Sequence, residues 1–130
     1  MRTKQTLSAI MLIAATGLLQ GCMLAVVGVG AAGTIAYIRG DLEAVESKPI
    51  NAVYEATLTA VKELELTVTE KSKDALEARI VVRDSQDRKT TIKLKTTAEE
   101  TTKLSIRVGT FGSETRSRLI YQKIREQLYR

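Results

Sequence analysis

The sequence predicts an α+β fold, a two-layer sandwich in which an antiparallel sheet of about five strands carries two helices on one face. Two observations predict it: helix-like spacing of apolar residues near each end of the region 41–130, and four segments between them in which apolar and polar residues alternate. The predicted element order is β-α-β-β-β-β-α. The region before residue 41 is mostly apolar and forms separate segments.

The first two predicted elements are a strand and a helix. Residues 41–47 alternate weakly and form the strand. Pro49 marks the start of the helix, with Asn51 as its N-cap. Apolar residues recur at intervals of three and four through residues 50–65, so this helix is amphipathic and has one side to bury.

Four strands and a second helix complete the predicted fold. A period of two places apolar residues on one face of the sheet and polar residues on the other. Short polar turns suit an antiparallel meander. The strands are residues 66–69, 76–83, 90–95 and 103–108, and the turns are residues 72–74, 84–89 and 97–100. Ser113 caps the last helix, whose apolar stripe is Leu119, Ile120, Ile124 and Leu128.

The N-terminus has the three parts of a secretory signal: a cationic start, an apolar run over residues 7–19, and small residues at a cleavage site. The cleavage motif consists of Leu19, Gln20, Gly21 and Cys22. It resembles the lipobox of bacterial lipoproteins, which implies that residues 1–21 are removed and that Cys22, the single cysteine, is acylated. The alternative is an ordinary signal peptide or a membrane helix that contains Cys22 by chance.

Residues 22–40 form a membrane-proximal, Gly/Ala-rich segment. As a helix, its uncharged part would be about 24 Å long, which is less than the roughly 30 Å of a bilayer core. Two interpretations stay open: the segment lies in the membrane leaflet, or it is a flexible spacer. The Gly-x-Gly-x-x-Gly pattern at residues 28–33 has no βαβ unit around it and does not predict a nucleotide site. In the lipoprotein sorting pattern, Met23 after Cys22 implies delivery to the outer membrane, facing the periplasm.

Composition excludes most catalytic and metal chemistry. The chain has no histidine, and lipidation of Cys22 leaves no thiol for catalysis, a disulfide or a metal. The net charge of +5 falls to +3 (18 basic minus 15 acidic side chains) when Arg2 and Lys4 leave with the signal, which is too small to require a nucleic-acid partner. The carboxylate pairs Glu43/Glu46, Asp84/Asp87 and Glu99/Glu100 are expected in exposed positions and turns. We therefore predict no catalytic residue, metal or cofactor, and we expect a protein that is not an enzyme.

The polar face of the predicted sheet is basic. It has two open interpretations: a face that binds anionic lipid headgroups, lipopolysaccharide or peptidoglycan, and a solubilising face that discourages edge pairing. Glu77 is the lone acidic residue expected among these cations. The expected basic residues are Lys71, Arg79, Arg83, Lys93, Lys95, Lys103 and Arg107.

The segment 108–113 (VGTFGS) leads into the last helix. Free amides at a helix N-terminus can hold an anion. Two glycines around a lone phenylalanine instead favour tight turns, with the ring of Phe111 plugged into the core.

Several motifs together resemble a family of small proteobacterial lipoproteins classed as a domain of unknown function. These are the lipobox, the Gly/Ala-rich run, the Pro-led helix and residues 64–68 (LELTV), 73–76 (KDAL) and 106–112 (IRVGTFG). The resemblance implies an envelope lipoprotein and implies no activity. We expect a non-enzymatic structural or binding module on a lipid anchor, with an envelope protein or anionic glycan or lipid as the partner.

Overall fold

The computed structural model describes residues 34–130, which form one six-stranded antiparallel sheet and two helices. This confirms the predicted α+β class. In chain order the elements are β1 (Ile35–Ile38), β2 (Asp41–Glu46), α1 (Ile50–Glu63), β3 (Thr67–Lys73), β4 (Glu77–Arg83), β5 (Lys89–Ala98), β6 (Thr101–Val108) and α2 (Glu114–Leu128). The cleavage motif, Cys22 and the apolar segment up to residue 33 lie outside the described residues.

The sheet has the strand order β1-β2-β6-β5-β4-β3, and all neighbouring strands are antiparallel. Helix α1 connects β2 to β3 at the far edge, while the last four strands form a meander. Strand β1 is one strand more than predicted, because the sequence Ile-Ala-Tyr-Ile lies within a uniformly apolar run that shows no period of two. The meander brings β6 back beside β2, so residues far apart in sequence become neighbours.

Both helices cover one face of the sheet. The core consists of alternate strand residues and the apolar sides of the helices, and its members are nearly all below one tenth exposed. Its main contributors are Leu42 and Ala44 of β2, Ile80 and Val82 of β4, Ile92 and Leu94 of β5, Leu104 and Ile106 of β6, Val53, Ala60 and Val61 of α1, and Ile120, Tyr121 and Ile124 of α2. Within residues 34–130, no element covers the other face, which we call the open face.

The helix ends differ from the prediction in detail. Helix α1 begins at Ile50 with Pro49 as its N-cap, so Asn51 lies inside the first turn and is not the cap. Leu119 is 56% exposed and lies outside the buried stripe of α2, because it is one residue ahead of Ile120 and therefore about 100° around the helix. Within residues 34–130, neither helix is long and apolar enough to cross a bilayer.

Candidate anion-binding face

The structure brings the six candidate cations together on the open face. The register pairs Arg79 with Lys93 and Lys95 with Lys103. Directly paired residues of antiparallel strands point to the same side of a sheet. The set is Arg79 and Arg83 of β4, Lys93 and Lys95 of β5, and Lys103 and Arg107 of β6.

Lys71 does not belong to this face. The pairing of β3 with β4 shifts between Val68 and Glu70, and beyond this irregularity Lys71 pairs with the buried residue Ile80. A β-bulge adds one residue to a strand and so reverses the side on which later residues lie. Lys71 is thus on the helix side, and its predicted position was wrong.

Acidic residues neutralise much of the charge on the open face. Glu77 is not the lone acidic residue expected, because β3 and β2 add carboxylates from both sides of the basic strands. Five of the six cations have acidic partners, each pair at the surface, where it contributes about 0–1 kcal/mol. The pairs are Arg79–Glu70 (3.9 Å), Arg83–Asp87 (3.2 Å), Lys95–Glu77 (3.1 Å), Lys103–Glu43 (3.0 Å) and Arg107–Asp41 (2.8 Å).

Lys93 differs from the other five cations. It is exposed and forms no ion pair or hydrogen bond with any residue in 34–130. It borders a shallow depression of about 230 Å³ in the middle of the open face. Hydroxyl groups and guanidinium groups can donate to an anion beside the ammonium group of Lys93. The depression is lined by Asp41, Arg79, Thr91, Lys93, Ser105 and Arg107.

Arg107 holds the edge of this depression in place. Its Nε and Nη2 donate to the two carboxylate oxygens of Asp41 at 2.8 and 3.0 Å. Nη2 also donates to the carbonyl oxygen of Arg39, and Nη1 donates to that of Thr110. The hydrogen bond and charge of Asp41 raise the pKa of Arg107 above its ordinary value. Arg107 therefore ties β6 to the β1–β2 turn, and its donors are largely in use.

The segment 108–113 forms the tight turns that two glycines predict, but its aromatic ring is not in the core. Phe111 is 92% exposed. The backbone of Gly112 approaches Gly40 so closely that a Cβ on Gly112 would lie 2.2 Å from the Gly40 carbonyl oxygen. The ring faces solvent because this backbone contact, and not the side chain, fixes the loop.

The sequence matches the family described as "Protein of unknown function (DUF3568)" over residues 5–127, nearly the whole chain. The chain belongs to this family. The expected membership in a family of unknown function is thereby confirmed. No curated protein matches the sequence.

A buried carboxylate in this family member was missed by the sequence analysis. Glu46 was expected to be exposed, but it is completely buried. Tyr121 donates a short hydrogen bond to Glu46 Oε1, and Tyr129 donates one of 2.7 Å to Oε2. Arg125 Nε lies 3.5 Å from Oε1. The alternation of β2 predicts this burial: Leu42 and Ala44 point into the core, and the same period of two places Glu46 inward.

The surroundings of Glu46 hold helix α2 against the sheet. Burial, followed by the hydrogen bond to Glu46, raises the pKa of Tyr121 well above its ordinary value of 10.0, and the pKa of Tyr129 is raised for the same reasons. The guanidinium group of Arg125 stacks 5.1 Å from the ring centre of Tyr129. Both carboxylate oxygens accept hydrogen bonds and neither reaches solvent. This arrangement is suited to fixing helix α2 and its C-cap residue Tyr129 to β2.

The other carboxylates shape turns or remain exposed. Asp84 Oδ1 accepts from the backbone N–H groups of Gln86 and Arg88, both at 2.9 Å. The bond from Arg88 is the largest of the effects that lower the pKa of Asp84 below 3.8. Asp74 Oδ1 caps the β3–β4 turn in the same way. Within residues 34–130, no group of three histidine, cysteine or acidic residues is arranged to hold a metal.

Proposed function

We propose that this protein is a lipoprotein of the bacterial cell envelope, anchored by lipid at Cys22 and not an enzyme. Its folded part is a binding or structural module that faces the periplasm from the outer membrane. The family match supports this proposal because it begins at residue 5 and therefore includes the cleavage motif together with the folded region. The matched range thus covers most of the signal-like segment as well as the folded region.

A non-enzymatic role is supported by the chemistry of the described residues. The one fully buried carboxylate, Glu46, has both oxygens occupied by tyrosine hydroxyl groups and is closed to solvent. A general base needs to reach the proton that it removes, either directly or through one water. Glu46 as it is held here is suited to structure and not to proton transfer.

Incorporation of labelled palmitate tests the anchor. We expect label in the wild-type protein and none in Cys22→Ala, with the wild-type protein in the outer-membrane fraction after membrane separation. Cys22→Ser is a second variant that keeps the size and charge of the cysteine side chain. It also lacks the thiol and is expected to remain unlabelled. Unlabelled wild-type protein would refute the anchor, and labelled protein in the inner membrane would refute the proposed location.

A second candidate function is the binding of an anionic envelope component through the open face. One observation carries it: Lys93, a cation without an acidic partner among residues 34–130, lies in the central depression with Arg79, Thr91 and Ser105. An exposed ammonium group without an ion-pair partner is not neutralised by a neighbouring carboxylate in direct contact, so it stays available to attract an anion, although Asp41 also lines the depression. The candidate ligands share carboxylate or phosphate groups and include lipopolysaccharide, phospholipid headgroups and peptidoglycan.

The chain offers a matched control for this second function. Lys93 and Lys95 are two residues apart on the same strand and face, but Lys95 is paired with Glu77 at 3.1 Å. We expect Lys93→Gln to weaken binding to phosphatidylglycerol vesicles, lipopolysaccharide or purified peptidoglycan more than Lys95→Gln does. Added salt should weaken wild-type binding. Equal weakening by the two substitutions would show that the depression is not a specific site, and no effect of either on binding would show that the face is only solubilising.

A further inference from the structure

We infer that one corner of the folded part enters the interface of the membrane that carries the protein, with Phe111 as its leading side chain. This Phe111 corner consists of Ile38 at the end of β1, the β1–β2 turn at residues 39–40, and the loop 109–112; the turn and the loop are in backbone contact. The inference rests on the proposed anchor at Cys22, which keeps a bilayer close to the domain. It adds an orientation to that proposal.

Two large apolar side chains are exposed at the Phe111 corner. Phe111, the single phenylalanine of the chain, is 92% exposed, and Ile38 is 49% exposed. Ile38 pairs with Asp41 across the turn that contains Gly40. A Cβ added to Gly40 would lie 2.6 Å from the backbone oxygen of Phe111, so the turn and the loop are in contact. Aromatic side chains normally contribute large buried areas, so one that projects from a surface next to another apolar residue indicates a contact with something else.

The backbone conformation of the loop fixes Phe111 in its exposed position. Gly40 and Gly112 have φ values of +91° and +84°, and neither leaves room for a side chain. Arg107 ties the two segments together through the carbonyl oxygens of Arg39 and Thr110. A loop fixed on both sides presents its side chain without the entropic cost of ordering a flexible segment on binding. The ring is therefore preorganised for contact.

The charges around the corner favour lipid as the contact. Arg39 and Lys89 have no acidic partner among residues 34–130, and the side chain of Arg88 lies 3.9 Å from where a Cβ on Gly109 would be. A depression of about 590 Å³ beside Gly109 is bordered by four basic residues and one acidic residue, namely Arg83, Arg88, Lys89, Arg107 and Asp87. Three of these cations are paired, Arg83 with Asp87, Arg88 with Asp84 and Arg107 with Asp41, so the excess positive charge at the corner comes from Arg39 and Lys89. Apolar side chains beside such an excess are typical of surfaces that bind anionic lipid interfaces.

The length of chain before the sheet allows this contact. Cys22 is twelve residues before Thr34, and twelve residues span at most roughly 43 Å when fully extended. Strand β1 then leads from Thr34 to the Phe111 corner in four residues, which is about 13 Å. The corner is thus within reach of the bilayer surface to which Cys22 would be attached.

A single fluorophore tests the inference. The chain has no tryptophan, so Phe111→Trp provides a unique probe in the full-length, acylated protein reconstituted into vesicles of phosphatidylethanolamine and phosphatidylglycerol. The matched control is Leu76→Trp, because Leu76 is 62% exposed in the β3–β4 turn, at the opposite end and edge of the sheet. Unchanged thermal unfolding of both variants verifies that they are folded.

We expect vesicles with brominated acyl chains to quench Phe111→Trp several-fold more than Leu76→Trp, with emission at shorter wavelength. Equal quenching of the two variants would overturn the inference. A shift to shorter wavelength without quenching would also overturn it, because the ring would then lie against protein, in this preparation a second copy of the chain. The mass of the Cys22 peptide reports acylation independently, so failure of the anchor and failure of the inserted corner are distinguishable.

Discussion

Removal of the Glu46 carboxylate is expected to destabilise the fold more than removal of any exposed carboxylate. Glu46→Ala leaves the Tyr121 and Tyr129 hydroxyl groups without their acceptor, and Tyr121 is only 3% exposed. A buried hydroxyl group without a partner costs about 1–3 kcal/mol, and loss of one partner from a buried ionic contact costs about 3–5 kcal/mol. Arg125 would also lose the carboxylate that lies 3.5 Å from its Nε.

We therefore expect Glu46→Ala to lower the free energy of unfolding by about 3–5 kcal/mol, a large part of the roughly 5–15 kcal/mol of a typical domain. At about 4–8 °C per kcal/mol for a domain of this size, the midpoint of thermal unfolding should fall by at least about 12 °C. Far-ultraviolet circular dichroism during heating and urea titration measures both quantities. Glu46→Gln keeps an acceptor oxygen and should cost less, about 1–3 kcal/mol.

The matched control is Glu43→Ala on the same strand. Glu43 is on the open face, where its partner Lys103 lies at 3.0 Å and both side chains are more than one third exposed. The expected cost is about 0–1 kcal/mol. If Glu46→Ala and Glu43→Ala unfold at midpoints within a few degrees of each other, the buried cluster does not hold α2 against the sheet and the reasoning fails.

Two further predictions concern the turns. Gly40→Ala should destabilise the fold by more than Gly109→Ala in urea titrations. Both glycines have positive φ, so the conformational strain is similar. However, a Cβ at residue 40 would lie 2.6 Å from a backbone oxygen, whereas the atom nearest to a Cβ at residue 109 would be 3.9 Å away. Strain at positive φ alone costs of order 1–3 kcal/mol, and an equal cost for both substitutions would mean that the backbone contact is not formed. In the folded state the pKa of Asp84 lies below its ordinary value of 3.8. The stability that its carboxylate contributes is therefore present above pH 3.8 and is lost as the pH falls through the folded-state pKa. Asp84→Asn should therefore reduce stability at neutral pH and make the acid side of the stability profile shallower, and a profile parallel to that of the wild-type protein would contradict this.

The interior of the fold was predictable from local patterns. Apolar residues at period two gave β4, β5 and β6, and spacing of three and four gave both helices, because each pattern places one side of an element against the core. Strand β1 was not predictable in this way, since Ile35–Ile38 is apolar at every position and alternation cannot be detected. The position of Lys71 was mispredicted because a bulge reverses the faces of a strand without changing its composition.

The charge of the open face was only half predictable. The cations of β4, β5 and β6 follow from the polar positions of those strands. Their partners do not, because Asp41 and Glu43 belong to β2, far before β6 in the chain, and reach the face only through the β2–β6 pairing. Of the six cations on the open face, this pairing leaves only Lys93 without an ion-pair partner in the described region, a distinction absent from the sequence pattern.

The sequence alone determined the α+β class, the order of the main elements and the motif at Cys22, since these depend on residues that are close together in the chain. The tertiary structure decided which charges are paired, that Glu46 is buried beneath two tyrosines and that Phe111 faces outward. Each of these depends on contacts between distant segments: β2 beside β6, α2 across β2, and Gly40 against Gly112. Local periodicity contains no information about which segments meet, because the free energy that selects those contacts comes from packing the whole domain.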